Sequence, residues 1–208
     1  LFGGASDYIQ FVIGDGDSIG TAGDDTIAGT SGNNQLLVGA GHDVITGNGG
    51  ADVMYGGAGN DTFVINADNV AKLARNSGND RQNIARIDGG NGVDTVRLSG
   101  TGITLDLATV SPAAVVDVER FDVGAGNTLQ LSRRDMLTTE VSYNAFNTSN
   151  GWTAVTGSEP AGWGAVNASL QWVVDGQASS TLSLNDGWTV IGKVTGTSSL
   201  GTSRTYKV

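Results

Sequence analysis

The sequence predicts an all-β chain whose first half winds into a parallel roll of short strands. Three observations predict it. Residues 20–64 divide into five nine-residue units with nothing inserted between them: GTAGDDTIA, GTSGNNQLL, VGAGHDVIT, GNGGADVMY and GGAGNDTFV. In every unit the fourth residue is glycine (Gly23, Gly32, Gly41, Gly50, Gly59). The sixth is Asp25, Asn34, Asp43, Asp52 or Asp61, and the eighth is apolar: Ile27, Leu36, Ile45, Met54, Phe63. Composition agrees, since 33 Gly and 2 Pro in 208 residues describe a turn-rich chain rather than a helical one.

Glycine lets the first six residues of a unit turn tightly, and the last three form a strand whose eighth residue points inward. A turn and a strand make half a coil, so each unit lies against the unit two further on. One column of turns therefore holds 20–25, 38–43 and 56–61, and the other holds 29–34 and 47–52. Coils about 4.8 Å apart bring Asp25, Asp43 and Asp61 into one row. Neighbours in that row repel by roughly 1 kcal/mol at water's dielectric and by about 3–4 kcal/mol at an effective value of about 20.

Residues 1–64 contain eight Asp and no Lys, Arg or Glu, so the compensating charge comes from outside the chain. A hard divalent ion fits, and calcium's flexible shell of six to eight oxygens suits such turns better than magnesium's octahedron. One apolar residue per unit makes a thin core. The roll is therefore expected to be unfolded without its ions and to fold as they bind.

The units resemble the G-G-x-G-x-D-x-U-x nonapeptide of RTX proteins, which implies a right-handed parallel β-roll that binds calcium. The resemblance implies that positions two, four and six of one turn hold an ion with positions one, three and six of the turn a coil later. All but the sixth act through carbonyl oxygens. One ion then falls among Thr21, Gly23, Asp25, Val38, Ala40 and Asp43, and a second among Gly39, Gly41, Asp43, Gly56, Ala58 and Asp61. A third, on the other edge, uses Thr30, Gly32, Asn34, Gly47, Gly49 and Asp52, with Asn34 departing from the pattern and removing one charge. GGNGVDTVR (89–97) is a further unit that places Asp94 above Asp61, and a fourth ion among Gly57, Gly59, Asp61, Gly89, Asn91 and Asp94. The whole chain is expected to hold about three to five calcium ions.

Three parts follow along the chain: an N-terminal coil or cap over 1–19, the roll over 20–102 with a helical insertion at 66–83, and a β-rich cap and secretion-associated region over 103–208. In the first part Tyr8–Ile13 reads as a strand, and Asp15 and Asp17 precede the second column of turns. The insertion is predicted as a short protruding helix, N-capped by Asp68 or Asn69, with Ala71–Arg75 as its body and Ser77-Gly78 as its stop. A strand over Ile84–Ile87 returns the chain to the roll. ITLDLATV (103–110), VVDVERFDV (115–123) and NTLQLS (127–132) alternate as strands, and Ser132 with Asp135 signals a helix start over 133–138. LQWVV (170–174), STLSLN (180–185), GWTVIGKV (187–194) and RTYKV (204–208) read as antiparallel strands closing the open end of the roll.

VERFDVGAGNTLQLSRRDML (118–137) and VDGQASSTLSLNDGWTVIG (174–192) resemble the C-terminal region of large bacterial RTX adhesins exported by type I secretion. That resemblance implies a calcium-dependent folding segment at the cell surface or secreted, serving adhesion or biofilm formation, monomeric within a longer chain. Leu1 fits neither a signal peptide nor an initiator context, so the chain reads as a piece of that longer protein. Two other readings share the repeats: the C-terminal region of an RTX toxin or secreted enzyme, and a glycan- or peptide-binding module using 66–83 or an exposed tryptophan.

Composition narrows the field. A net charge of −10 argues against nucleic acid and anionic lipid, no apolar run reaches membrane-spanning length, and the absence of Cys excludes disulfides and thiol catalysis. His42, the single histidine, stands at a fifth position and reads as a solvated turn residue, because one His makes neither a catalytic triad nor a zinc site. No catalytic residue is assigned and the chain is not expected to be an enzyme. Trp152, Trp163, Trp172 and Trp188 read as core of the C-terminal part.

Overall fold

The nine-residue spacing sets the winding of the chain. The computed structural model describes residues 16–74, 85–111, 114–132, 135 and 172–185, with the backbone of 153–154, 193–197 and 203–207. One parallel sheet takes β1 (Ser18–Ile19), β3 (Gln35–Ala40), β5 (Val53–Ala58), β7 (Arg86–Asn91) and β10 (Val115–Val116), in that order. A second takes β2 (Thr26–Ala28), β4 (Val44–Thr46), β6 (Thr62–Ile65), β8 (Thr95–Leu98), β11 (Arg120–Asp122) and β14 (Val173–Asp175), likewise stacked in chain order. Thr26 pairs with Val44, Val44 with Thr62, and Gln35 with Val53, so each strand lies beside the one two units on. The chain is thus a parallel β-roll that alternates between two sheets.

Between the sheets lie the eighth residues. Leu36, Ile45 and Phe63 are completely buried and Met54 nearly so, whereas Ile27, near the end of the stack, is only partly covered. Ile87, Val96, Val115 and Phe121 extend the same column beyond the repeats. The first column of turns (the first edge) joins β1 to β2, β3 to β4, β5 to β6, β7 to β8 and β10 to β11; the second edge joins β2 to β3 and β4 to β5.

On the second edge a helix takes the place of the next turn. Helix α1 spans Ala67–Leu73 rather than Ala71–Arg75, and its N-cap is Asn66 rather than Asp68 or Asn69. Asn66 Oδ1 accepts from the N–H groups of Asp68 and Asn69, and Asn69 Oδ1 accepts from Asn66 N–H, a capping box made with an amide at its third position. Because this box closes directly behind β6, the helix starts without a loop. It is not a free protrusion, since Asn69 and Leu73 are buried against the roll. The expected stop at Ser77-Gly78 lies outside the described residues, as does Ile84. β7 begins at Arg86 and pairs Ile87 with Met54, which restores the register.

The parallel winding outlasts the repeats, which corrects the expectation of antiparallel strands at 170–174 and 180–185. β14 pairs in parallel with β11, and β15 (Thr181–Asn185) in parallel with β12 (Thr128–Ser132), which itself lies parallel to β9 (Thr104–Asp106). A chain that keeps coiling re-enters each sheet from the same edge, so its strands point the same way. The Arg120 guanidinium fixes the register of β14 through its ion pair with the fully buried Asp175. Among the described residues antiparallel pairing joins β13 (Thr153–Ala154) to β16 (Lys193–Thr197) and β16 to β17 (Ser203–Lys207), and a single antiparallel bridge links Ala74 to Val110. Ser132 and Asp135 form the expected reciprocal pair, each side chain accepting from the other's N–H; the rest of 133–138 lies outside the described residues. Trp172 packs edge-on against Phe121 at 5.6 Å, while Trp152, Trp163 and Trp188 are outside the described residues, as are Tyr8–Ile13 and Asp15.

Phe63 is the largest eighth residue of the five repeats and is completely buried, so Phe63→Ala should cost about 3–5 kcal/mol. Urea denaturation in saturating calcium, compared with the unsubstituted protein, measures this directly.

Candidate metal centre

The sixth residues of the first edge form a vertical ladder. Asp25 N–H donates to Asp43 Oδ1 at 2.7 Å, Asp43 N–H to Asp61 Oδ1 at 2.9 Å, and Asp61 N–H to Asp94 Oδ1 at 2.7 Å. Asp94 N–H continues it to Glu119 Oε2 at 2.9 Å. Each carboxylate is therefore drawn into the stack by the backbone of the coil before it. Asp43, Asp61, Asp94 and Glu119 are buried, and Asp25 is half-buried.

One oxygen of each carboxylate is used in this way, and the other separates the members of the row. Oδ2 of Asp43, Asp61 and Asp94 is buried with no hydrogen-bond partner. A buried carboxylate oxygen without a donor is costly, and a cation beside it would offset that cost. The ion pairs among the described residues lie elsewhere: Arg86 with Asp88, Arg97 with Asp122, and Arg120 with Asp175. At the start of the row Asp25 Oδ2 instead accepts from Thr21 N–H at 2.6 Å and from Thr21 Oγ1 at 2.9 Å.

The electrostatics agree with the geometry. Burial raises Asp94 to a pKa of about 8, only partly offset by the Asp61 N–H, and the charges of Glu119, Asp61 and Asp117 add to the rise. Burial also raises Asp61, again against the bond from Asp43 N–H, with the Asp43 charge contributing. These shifts express the cost of holding the row without a counter-ion.

Glycine makes the turns that frame the row. Gly59 has φ +128°, and a Cβ there would run into the Gly41 carbonyl one coil below. Val38, Gly39, Ala40 and Gly41 lie in the turn above Thr21 and Gly23. Gly56, Gly57, Ala58 and Gly59 lie one coil on, and Gly89 and Asn91 above those. The first-edge residues assigned from the resemblance are thus stacked turn on turn, around the unpaired oxygens. Among the described residues no three His, Cys, Asp or Glu side chains converge, so an ion held here takes most of its oxygens from carbonyls, as calcium does.

The second edge is built differently. Asn34 Oδ1 accepts from Thr30 N–H at 2.6 Å and Thr30 Oγ1 at 3.2 Å, while Asn34 N–H donates to Asp52 Oδ1 at 2.8 Å. Asp52 Oδ2 then accepts from Asn69 Nδ2 at 2.8 Å, and that amide also donates to Gly50 O at 3.2 Å. Gly49 N–H and Asn66 N–H both donate to Asn69 Oδ1, which fixes the direction of the amide. Burial raises Asp52 only to about 6, because the Asn34 N–H and the Asn69 amide lower it. Thr30, Gly32, Asn34, Gly47, Gly49 and Asp52 are brought together, but their outer side-chain oxygens already have donors from the chain.

Residues outside the expected ligand sets also shape the site. Glu119 and Asn69 occupy row positions. The fifth positions form a second ladder: His42 N–H donates to Asp24 Oδ1, Asn60 N–H to His42 Nδ1, and Val93 N–H to Asn60 Oδ1. His42 is exposed yet holds the next turn. Asp17, which precedes the second edge, accepts from Gln35 N–H at 2.6 Å.

Asp43→Ala removes a carboxylate from the middle of the first edge. It should raise the calcium midpoint for folding by about tenfold or more, equivalent to ~1.4 kcal/mol; Asn34→Ala should raise it less, as read by circular dichroism in a calcium titration. The pH dependence has opposite signs with and without the ion. In calcium-free buffer the raised Asp61 and Asp94 favour the folded state below the unfolded carboxylate pKa of 3.8, a contribution lost as pH rises, for Asp94 through about 8. With calcium bound, acid should destabilise instead, since protons compete for the same oxygens. Far-ultraviolet circular dichroism from about pH 3 to pH 8 checks the reversal: in chelator the β signal should grow as pH falls, and in calcium it should be lost.

Residues 19–47 and 29–63 match the model of the RTX calcium-binding nonapeptide repeat (4 copies). No curated protein and no solved structure matches the chain. Over residues 19–63 the chain therefore carries RTX calcium-binding nonapeptide repeats, and Asp25, Asp43 and Asp61 of the first-edge carboxylate row lie in them.

Proposed function

We propose that this chain is a calcium-dependent folding segment of a secreted or cell-surface adhesin, exported by a type I system and acting in adhesion or biofilm formation rather than in catalysis. The observation that carries the calcium reading is the set of buried, unpartnered Oδ2 atoms on Asp43, Asp61 and Asp94. Calcium would be held along the first edge by the carbonyls of Thr21, Gly23, Val38, Gly39, Ala40, Gly41, Gly56, Gly57, Ala58, Gly59, Gly89 and Asn91, together with Asp25, Asp43, Asp61 and Asp94. The ion supplies the positive charge that the row lacks, and these residues supply its oxygen shell.

A chain of this kind stays extended where calcium is scarce and folds where it is abundant. That order of events suits export through a narrow conduit followed by folding outside the cell. The adhesin reading is supported by the resemblance of 118–137 and 174–192 to the C-terminal region of RTX adhesins. The Arg120–Asp175 pair joins those two segments in the fold. Among the described residues no helix is long and apolar enough to cross a membrane.

Far-ultraviolet circular dichroism during a calcium titration, after removal of metal with a chelator, tests the reading. A coil-like spectrum in chelator that becomes β-rich in millimolar calcium is expected. A fully β-rich spectrum with no metal would overturn it.

A further inference from the structure

We propose a further cation site between the turn of the last repeat and residues 117–119, a crossing one coil on that belongs to no nonapeptide. It would be formed by the carbonyls of Gly90 and Gly92, the carboxylate of Asp94, the carbonyl of Asp117 and the carboxylate of Glu119. The proposal rests on the reading that the repeats hold calcium, and extends the ion row by one coil into the C-terminal part of the chain.

Glu119 stands in the row as a sixth residue does. The bond from Asp94 N–H to Glu119 Oε2, at 2.9 Å, repeats those from Asp25 to Asp43, from Asp43 to Asp61 and from Asp61 to Asp94. Asp117 O stands where a first-position carbonyl does. A Cβ on Gly89 would meet Asp117 O, as one on Gly56 would meet Gly89 O and one on Gly20 would meet Val38 O. The unpartnered Oδ2 of Asp94, in a side chain with no exposed surface, lies beside Gly89, where a Cβ would meet both it and Asp117 O.

The upper turn is shorter than a repeat. Asp88 pairs with Val116 and Thr95 with Arg120, so residues 117–119 cross where residues 89–94 cross below. Asp117 takes φ 49° to make that crossing. On a shortened turn the extra methylene of glutamate gives the reach that aspartate has in a full one. No third-position carbonyl exists there, and a water molecule would complete the shell. Sequence carries the same sign: an acidic residue precedes a buried apolar one by two positions in Asp61-Thr62-Phe63, Asp94-Thr95-Val96 and Glu119-Arg120-Phe121.

An ion here would hold β11, whose Arg120 pairs with Asp175 of β14, and so link the calcium row to the C-terminal strands. Crystals grown in calcium chloride, with anomalous diffraction from calcium, test the site in the full chain. A peak between Asp94 and Glu119, beyond the peaks beside Asp43 and Asp61, is expected. Peaks beside Asp43 and Asp61 with none at Glu119 would overturn this site and leave the repeat reading intact; no peak anywhere would overturn both. Native mass spectrometry gives an independent count: Glu119→Gln should carry one calcium fewer than the unsubstituted chain, and an unchanged count would overturn the site. Should Glu119→Gln fail to fold, the crystal of the unsubstituted chain decides.

Discussion

The structure depends on one repeated bond, from the backbone N–H of a turn's acidic residue to the carboxylate one coil on. It fixes the vertical spacing of the turns and draws like charges into a buried column. A neutral acceptor would make the same bond, but a carboxylate brings a second oxygen that the chain does not satisfy at Asp43, Asp61 and Asp94. The stack is therefore incomplete by itself along one edge. Burying those oxygens costs free energy, and on the proposed reading a divalent cation beside them makes metal binding part of folding.

Where the column is not completed by an ion, asparagine completes it. Asn69 supplies an amide N–H to Asp52 at the end of the second edge. Asn127 does comparable work in the next layer: its Oδ1 accepts from Ile103 N–H, and its Nδ2 donates to Gly100 O and Val123 O. An amide carries both an acceptor for the ladder and a donor for the oxygens beside it, so it needs no external charge. The two edges of one roll thus differ: the first buries Oδ2 atoms without a donor, and the second meets Asp52 with the Asn69 amide. The asymmetry arises because α1 interrupts only the second edge.

Much of this was legible in the sequence. The glycine, acid and apolar positions of residues 20–64 specify the coil length, the two columns of turns and the buried face. The unit at 89–97 was readable because Asp94, Val96 and the glycines keep the same spacing across the insertion. Asn69 was not readable as a row member, since its role follows from a capping box that begins at Asn66 and presents the amide to Asp52. Glu119 was hidden by the three-residue turn before it, which breaks the nine-residue count although the spacing from acid to buried Phe121 survives. The parallel direction of β14 and β15 was missed for a different reason. Alternating strand patterns state which face is buried and say nothing of direction, and direction here is set by continued winding and by the long-range Arg120–Asp175 pair.

If cations hold the row together, the ladder bonds form only when those ions are bound. Residue-resolved hydrogen exchange reads those bonds one at a time, at the backbone amides of Asp25, Asp43, Asp61 and Asp94. The account predicts slow exchange at all four in millimolar calcium and exchange close to that of an unfolded chain once the metal is chelated. Equal protection in the two conditions would contradict it.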